Sequence, residues 1–123
     1  MPKIAIIEDD LAIAEMYKLK FEALGYQVEI AGNGKLGLEL CQRLVPDLVM
    51  LDLMMPEMNG DEMLEKMRAT EWGKDIKVII LTNVEEQEAS TKLSSLHVLK
   101  YIVKAEMTPS QVAEVVGKEL VVA

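Results

Sequence analysis

The stretch Leu48-Val49-Met50-Leu51-Asp52-Leu53-Met54-Met55-Pro56-Glu57-Met58-Asn59-Gly60 decides the fold. An apolar run leads straight into Asp52. A short run with no polar face reads as a strand buried on both sides. Pro56 cannot continue a ladder, and Asn59-Gly60 marks a turn. The stretch therefore sets one carboxylate at the C-terminal mouth of a parallel sheet, where a surface loop begins. Taken alone, Asp52 serves equally well as a cap for the strand end. The rest of the chain decides between the two readings.

On the N-terminal side, Lys3 to Ile7 is a second aliphatic strand, and it ends in Glu8-Asp9-Asp10. Leu11 to Leu24 follows with helical spacing. Ile13, Tyr17, Phe21 and Leu24 share one face with Met16 beside them, and Gly25 stands where a C′ glycine belongs. Gln27 to Ala31 reads as a short strand. Asn33-Gly34 opens a second helix with Leu36, Leu40, Cys41 and Leu44 on its buried face, and Pro46 ends it before the strand Asp47 to Asp52. A lone cysteine on such a face reads as core filler.

On the C-terminal side, Gly60 to about Ala69 is a third helix with Met63, Leu64 and Met67 inward. Residues 70–75 form a loop. Ile76 to Leu81 is a fourth strand, ending in Thr82. Asn83, with Glu86 three residues later, has the signature of an N-cap and predicts a fourth helix carried by Ala89, Leu93 and Leu96. His97 reads as a solvated turn residue. Val98 to Val103 is the fifth strand, ending in Lys104. Thr108-Pro109-Ser110-Gln111 combines an N-cap, an N1 proline and a capping-box glutamine, so it starts a fifth helix with Val112, Val115, Val116 and Leu120 inward.

Composition narrows the possibilities. The 123 residues suit one domain, read as spanning 1–123, and 50% of them are hydrophobic, which excludes a disordered chain. A net charge of −8 disfavours nucleic acid or anionic membrane as a partner of this segment. One cysteine rules out an internal disulfide, no signal-peptide pattern precedes the acids, and no apolar run is long enough to cross a membrane. The expectation is a cytoplasmic protein.

Strand and helix alternating five times argue a doubly wound α/β fold: a five-stranded parallel sheet with five helices over both faces. Right-handed crossovers bring every strand C-terminus to one edge. That edge carries Glu8 and Asp9, Asp52, Thr82 and Lys104, in the place where open α/β sheets bind ligands. Three carboxylates at close range repel unless a cation relieves them. Oxygen donors without sulfur or imidazole point to Mg²⁺. A metal beside a nucleophilic carboxylate suits phosphoryl transfer, with the lysine and the threonine as partners for phosphoryl oxygens.

These residues resemble the receiver domain of bacterial two-component response regulators. The resemblance runs over the whole chain through Glu8-Asp9, Asp52 within LDLMMPEMNG, Thr82 after VIIL, and Tyr101-Ile102-Val103-Lys104. It implies a flavodoxin-like sheet of order 2-1-3-4-5, an order whose general statement already uses a receiver as its example. It also implies that Asp52 accepts a phosphoryl group from a sensor histidine kinase or phosphotransfer protein. Mg²⁺ would be held by Asp9, Asp52 and the Met54 carbonyl, with Glu8 acting through water. Lys104 would bind the phosphoryl group, and Thr82 and Tyr101 would form the switch pair. Such a domain is a phosphorylation-controlled switch rather than an enzyme, although it assists its own phosphoryl transfer and dephosphorylation. Its implied partners are a downstream effector or fused output domain, reached through the face made by the fourth helix, fifth strand and fifth helix, and a phosphorylation-dependent homodimer. In this family a fused output domain is the commoner arrangement. Met54 and Val84, which flank the approach to Asp52, cannot orient a water, so slow loss of phosphate is expected.

The chain departs from the family pattern at Ala105, where proline is usual; at Asn83, where a small residue is usual; and around His97, where glycine is usual. A receiver acting without phosphorylation stays open on these grounds. An FMN carrier shares the topology but needs a hydroxyl-rich loop where Glu8-Asp9-Asp10 stands, and its colour would reveal it. A Mg²⁺-dependent phosphohydrolase usually has an acid at the place of Met54, and turnover of a small phosphate ester would reveal that activity.

Overall fold

The computed structural model describes residues 1–89 and 91–120. Five short stretches form the strands β1 (Lys3–Ile7), β2 (Gln27–Ala31), β3 (Leu48–Leu51), β4 (Lys77–Thr82) and β5 (Lys100–Val103), all but β2 dominated by apolar residues. They pair in parallel in the order β2-β1-β3-β4-β5, the order expected. The helices are α1 (Leu11–Ala23), α2 (Gly34–Leu44), α3 (Gly60–Arg68) and α4 (Pro109–Leu120).

Alternate residues of each strand point to opposite faces, and each face has its own core. Ile7, Val49, Leu51, Val78 and Ile80 meet Leu40, Cys41 and Leu44 of α2 and Met63, Leu64 and Met67 of α3. Ile4, Ile6, Leu48, Met50, Ile79 and Ile102 meet Ala14, Tyr17 and Phe21 of α1 and Val112, Ala113 and Val116 of α4. The sheet is therefore wound on both sides. Cys41 is fully buried, and burial pushes its thiol up to about 12, so it packs as a small hydrophobe.

Local chemistry fixes the helix ends. Asp10 caps α1 through the Ile13 amide at 3.2 Å, and Asn33 caps α2 through the Leu36 amide at 2.8 Å. After α1 the chain turns at Gly25 with φ +95°, which a side chain would resist. The capping box before α4 is complete: Thr108 N–H donates to Gln111 Oε1 at 2.8 Å, and Gln111 N–H donates to Thr108 Oγ1 at 3.2 Å.

Four expectations need correction. First, the helix expected from Asn83 is absent: two 3-10 turns, Glu86–Glu88 and Thr91–Ser95, occupy its place, so the described residues contain four α-helices rather than five. Too few apolar side chains face the sheet to hold a regular helix there; of the described ones, only Leu93 and Leu96 are buried. Second, Leu24, Met16 and Leu36 are exposed, while Ala14 takes a core position on α1. Third, β3 ends at Leu51, which leaves Asp52 as the first residue beyond the ladder. Fourth, β4 is shifted by one residue to Lys77–Thr82, and β5 starts at Lys100 rather than Val98.

Candidate functional site

Register places the reactive edge. Ile7 pairs with Leu51, Leu51 with Ile80, and Thr82 with Val103, so the residues that follow these strands emerge side by side. Glu8 and Asp52 are buried despite their charge, and Thr82 is fully buried. Asp9 is exposed at the rim.

The loop after β3 keeps Asp52 in place. The Asp52 amide donates to the Ile7 carbonyl at 3.0 Å, and Gly60 N–H donates to the Leu53 carbonyl at 3.0 Å. Gly60 begins α3 directly against Asp52. A Cβ there would meet the Asp52 carbonyl carbon and Leu53 Cα at 3.0 Å and would overlap the Asp52 carbonyl oxygen. The loop also folds at Glu57, which takes φ +69° as the Met58 amide donates to the Pro56 carbonyl at 2.7 Å.

Lys104 joins the acids. Its Nζ donates to Glu8 Oε1 and, at 3.2 Å, to Asp52 Oδ2. The other oxygen of Asp52, Oδ1, accepts from the Met54 amide at 3.2 Å. Burial pushes the Glu8 carboxyl up to about 7, although the Lys104 hydrogen bond pulls the other way. Burial would lower Lys104, but its bonds and charges shared with Glu8 and Asp52 outweigh that and raise it. Such a lysine stays charged at neutral pH.

One carboxylate oxygen from each of Glu8, Asp9 and Asp52 falls within 4.8 Å of the others. Three hard oxygen donors at that spacing suit a divalent cation of the Mg²⁺ type. The Met54 side chain is exposed over the loop.

On the flank, Thr82 Oγ1 accepts from the Val84 amide at 3.4 Å, and the Tyr101 hydroxyl donates to the Val84 carbonyl at 2.7 Å. Tyr101 is half-buried beside the two turns instead of beneath a helix. Burial raises its hydroxyl pKa, and Glu86 and Glu85 add to the effect. Lys104–Glu106 form a short 3-10 turn with Ala105, every described peptide bond being trans. His97 fills the place of the usual glycine with φ +56°.

The fold thus brings Glu8, Asp9, Asp52, Thr82 and Lys104 to one edge, with Tyr101 and Met54 at its margins. Sequence reading missed the role of Gly60 in letting α3 approach Asp52; the Asn-Gly pair looked like a plain turn signal. It also missed Arg68, whose hydrogen bonds all go to backbone carbonyls and leave no trace in sequence.

A doubly wound sheet whose binding edge is built from acids and one lysine defines an α/β domain equipped to hold a divalent cation and an anion such as a phosphoryl group. A family model described as "Response regulator receiver domain" matches residues 4–116, and the chain belongs to that family. It is a phosphoacceptor signalling domain of the two-component type. It is 43% identical over 82 residues to the DNA-binding dual master transcriptional regulator RpaA of Synechocystis, a match covering 67% of this chain and 34% of that protein. It is 30% identical over 115 residues to the phosphate regulon transcriptional regulatory protein PhoB of Rhizobium meliloti, covering 94% of this chain and 51% of that one. The chain thus spans about a third of the first and half of the second. Among solved structures, the response regulator TrrA of Thermotoga maritima in complex with Mg²⁺-BeF is 30% identical with a TM-score of 0.84, covering 98% of this chain and 100% of that one. No helix among the described residues is long and apolar enough to cross a membrane.

Proposed function

We propose that Asp52 is the phosphoacceptor, taking its phosphoryl group from the phosphohistidine of a sensor histidine kinase or a phosphotransfer protein. The observation that carries this reading is the lysine bridge: Lys104 reaches a buried Asp52 beside two further acids. An Asp52 carboxylate oxygen attacks phosphorus, the P–N bond to the donor imidazole breaks, and the electron pair of that bond stays with the imidazole. Lys104 then holds a phosphoryl oxygen, as the half-buried ammonium exchanges a carboxylate contact for a phosphoryl one. Thr82 donates its hydroxyl to another phosphoryl oxygen.

Asp9, Asp52 and the Met54 carbonyl would hold Mg²⁺, with Glu8 acting through water. When bound, the cation neutralises charge on the acids and on the transferring phosphoryl oxygens. The TrrA complex with Mg²⁺-BeF supports this reading by analogy. Thr82 moving toward the phosphoryl group would draw on the Val84 segment that Tyr101 holds. The surface altered is the one formed by the two 3-10 turns, β5 and α4. That surface would address an effector, a fused output domain or a second copy of the chain, in the cytoplasm. Met54 and Val84, two residues after Asp52 and Thr82, carry no side-chain group to orient a water at Asp52, which favours slow autodephosphorylation.

The test is incubation with acetyl phosphate and Mg²⁺ followed by intact-mass analysis. Wild type gains one phosphoryl group, while Asp52→Asn and the Mg²⁺-free sample gain none. Equal uptake by Asp52→Asn removes Asp52 as the acceptor.

A further inference from the structure

The segment between β4 and β5 is held at its two ends by very different means. At the near end, one neutral hydrogen bond joins the Tyr101 hydroxyl to the Val84 carbonyl. At the far end stands Arg68, the last residue of α3. Its guanidinium offers N–H donors in a rigid plane, and each of its three nitrogens donates to backbone carbonyls. Nε donates to Leu96 O at 2.8 Å, and Nη2 to His97 O at 3.2 Å. Nη1 faces Gly73 O at 2.9 Å, Lys74 O at 3.3 Å and Ile76 O at 2.7 Å.

Two of these carbonyls end the segment, and the other three line the turn that feeds β4. One half-buried side chain thus ties the start of β5 to the start of β4 with charge-assisted bonds, which are roughly twice as strong as neutral ones. Between the two ends lie short 3-10 turns whose buried apolar anchors, among the described residues, are Leu93 and Leu96. Beside them runs a groove of about 470 Å³ bordered by Leu93, Val98, Leu99 and Tyr101. The segment has a single-bond latch at one end and a five-bond anchor at the other.

We propose that Arg68 is a positioning residue for the switch: it pins Leu96 and His97, so that rearrangement on phosphorylation stops there and β5 keeps Lys104 in register. This deepens the proposed function and rests on it. Lysine cannot replace the pin, because an ammonium lacks the planar fork that spans two chain segments.

The test is hydrogen–deuterium exchange on wild type, Arg68→Lys and Arg68→Ala, each with and without Mg²⁺ and beryllofluoride. Leu96 N–H bonds to Leu93 O at 3.1 Å and Leu99 N–H to Val78 O at 2.9 Å, so both amides report on the pin. In the resting protein both should exchange about tenfold faster in Arg68→Lys than in wild type, with β1 and β3 amides unchanged, equivalent to about 1.4 kcal/mol of local opening. Within the segment between β4 and β5, beryllofluoride should alter wild-type exchange only before Leu96, and in Arg68→Lys the change should spread to Leu96 and Leu99. Equal exchange at Leu96 and Leu99 in the two proteins overturns the pin. So does acceleration of β1 and β3 by the same factor, which would mean general destabilisation. Arg68→Lys guards against an alanine variant that fails to fold. A wild type with no beryllofluoride response overturns the proposed switch, while the resting comparison still decides the pin.

Discussion

Replacing Glu8 by glutamine isolates the electrostatic cost of the site. Glu8 sits at about 7 in the folded protein against an ordinary 4.5, chiefly because burial disfavours its charged form. The folded protein therefore holds this proton more tightly than the unfolded chain does. Below about pH 4.5 both states are protonated, and the residue contributes nothing to the pH dependence. As pH rises from 4.5 to 7 the unfolded chain releases the proton first, so stability falls; above 7 the loss is constant. At about 1.4 kcal/mol per pH unit the full loss is about 3 kcal/mol. Glutamine matches the neutral carboxyl in shape and does not titrate. Urea unfolding in metal-free buffer between pH 4.5 and 8 measures the effect. Wild type should lose about 3 kcal/mol more than Glu8→Gln across that range, whatever the constant offset between them. Mg²⁺ at pH 8 should restore much of the loss in wild type, since a cation favours the ionised site. Parallel pH curves for the two proteins would refute the reasoning.

Gly60→Ala forces a methyl group into the Asp52 backbone; it should destabilise the fold by about 1–3 kcal/mol and slow phosphorylation by acetyl phosphate, and wild-type values in both assays would contradict the packing described. His97→Gly releases a left-handed histidine and should raise stability by about 0.5–1 kcal/mol in thermal melts, while a loss would mean that the imidazole itself is needed. Met54→Asn with Val84→Glu supplies groups that orient water, so the half-life of phosphorylated Asp52 should shorten by about tenfold, the equivalent of about 1.4 kcal/mol at the barrier. A double variant that takes up phosphate and loses it no faster than wild type would rule out apolar flanking as the cause.

Strands β1, β3, β4 and β5 were the most legible part of the chain, since each holds a bounded apolar run followed at once by a polar residue, whereas β2 alternates only weakly. That same juxtaposition exposed the site: an apolar run fixes where Asp52 or Lys104 must emerge. Capping was legible too, as at Thr108 and Gln111. The faces of α1 were less so. Its exposed Met16 and Leu24 share helical spacing with buried Tyr17 and Phe21, and spacing alone does not say which stripe faces the sheet. The segment after β4 misled because Asn83 and Glu86 form a genuine local signature that tertiary contacts fail to support. A cap signature cannot make up for missing apolar anchors. Interactions made by backbone, such as the carbonyls around Arg68 and the approach of Gly60 to Asp52, lie beyond any sequence pattern.

The burial of Cys41 has a practical consequence. Its thiol, pushed up to about 12 and shielded by the core, offers almost no thiolate to an alkylating reagent at neutral pH. A cysteine introduced at the exposed Glu88 would be the one thiol in the molecule open to maleimide. A spin label or dye placed there reports on the segment between β4 and β5 from a single position, with the native cysteine left untouched.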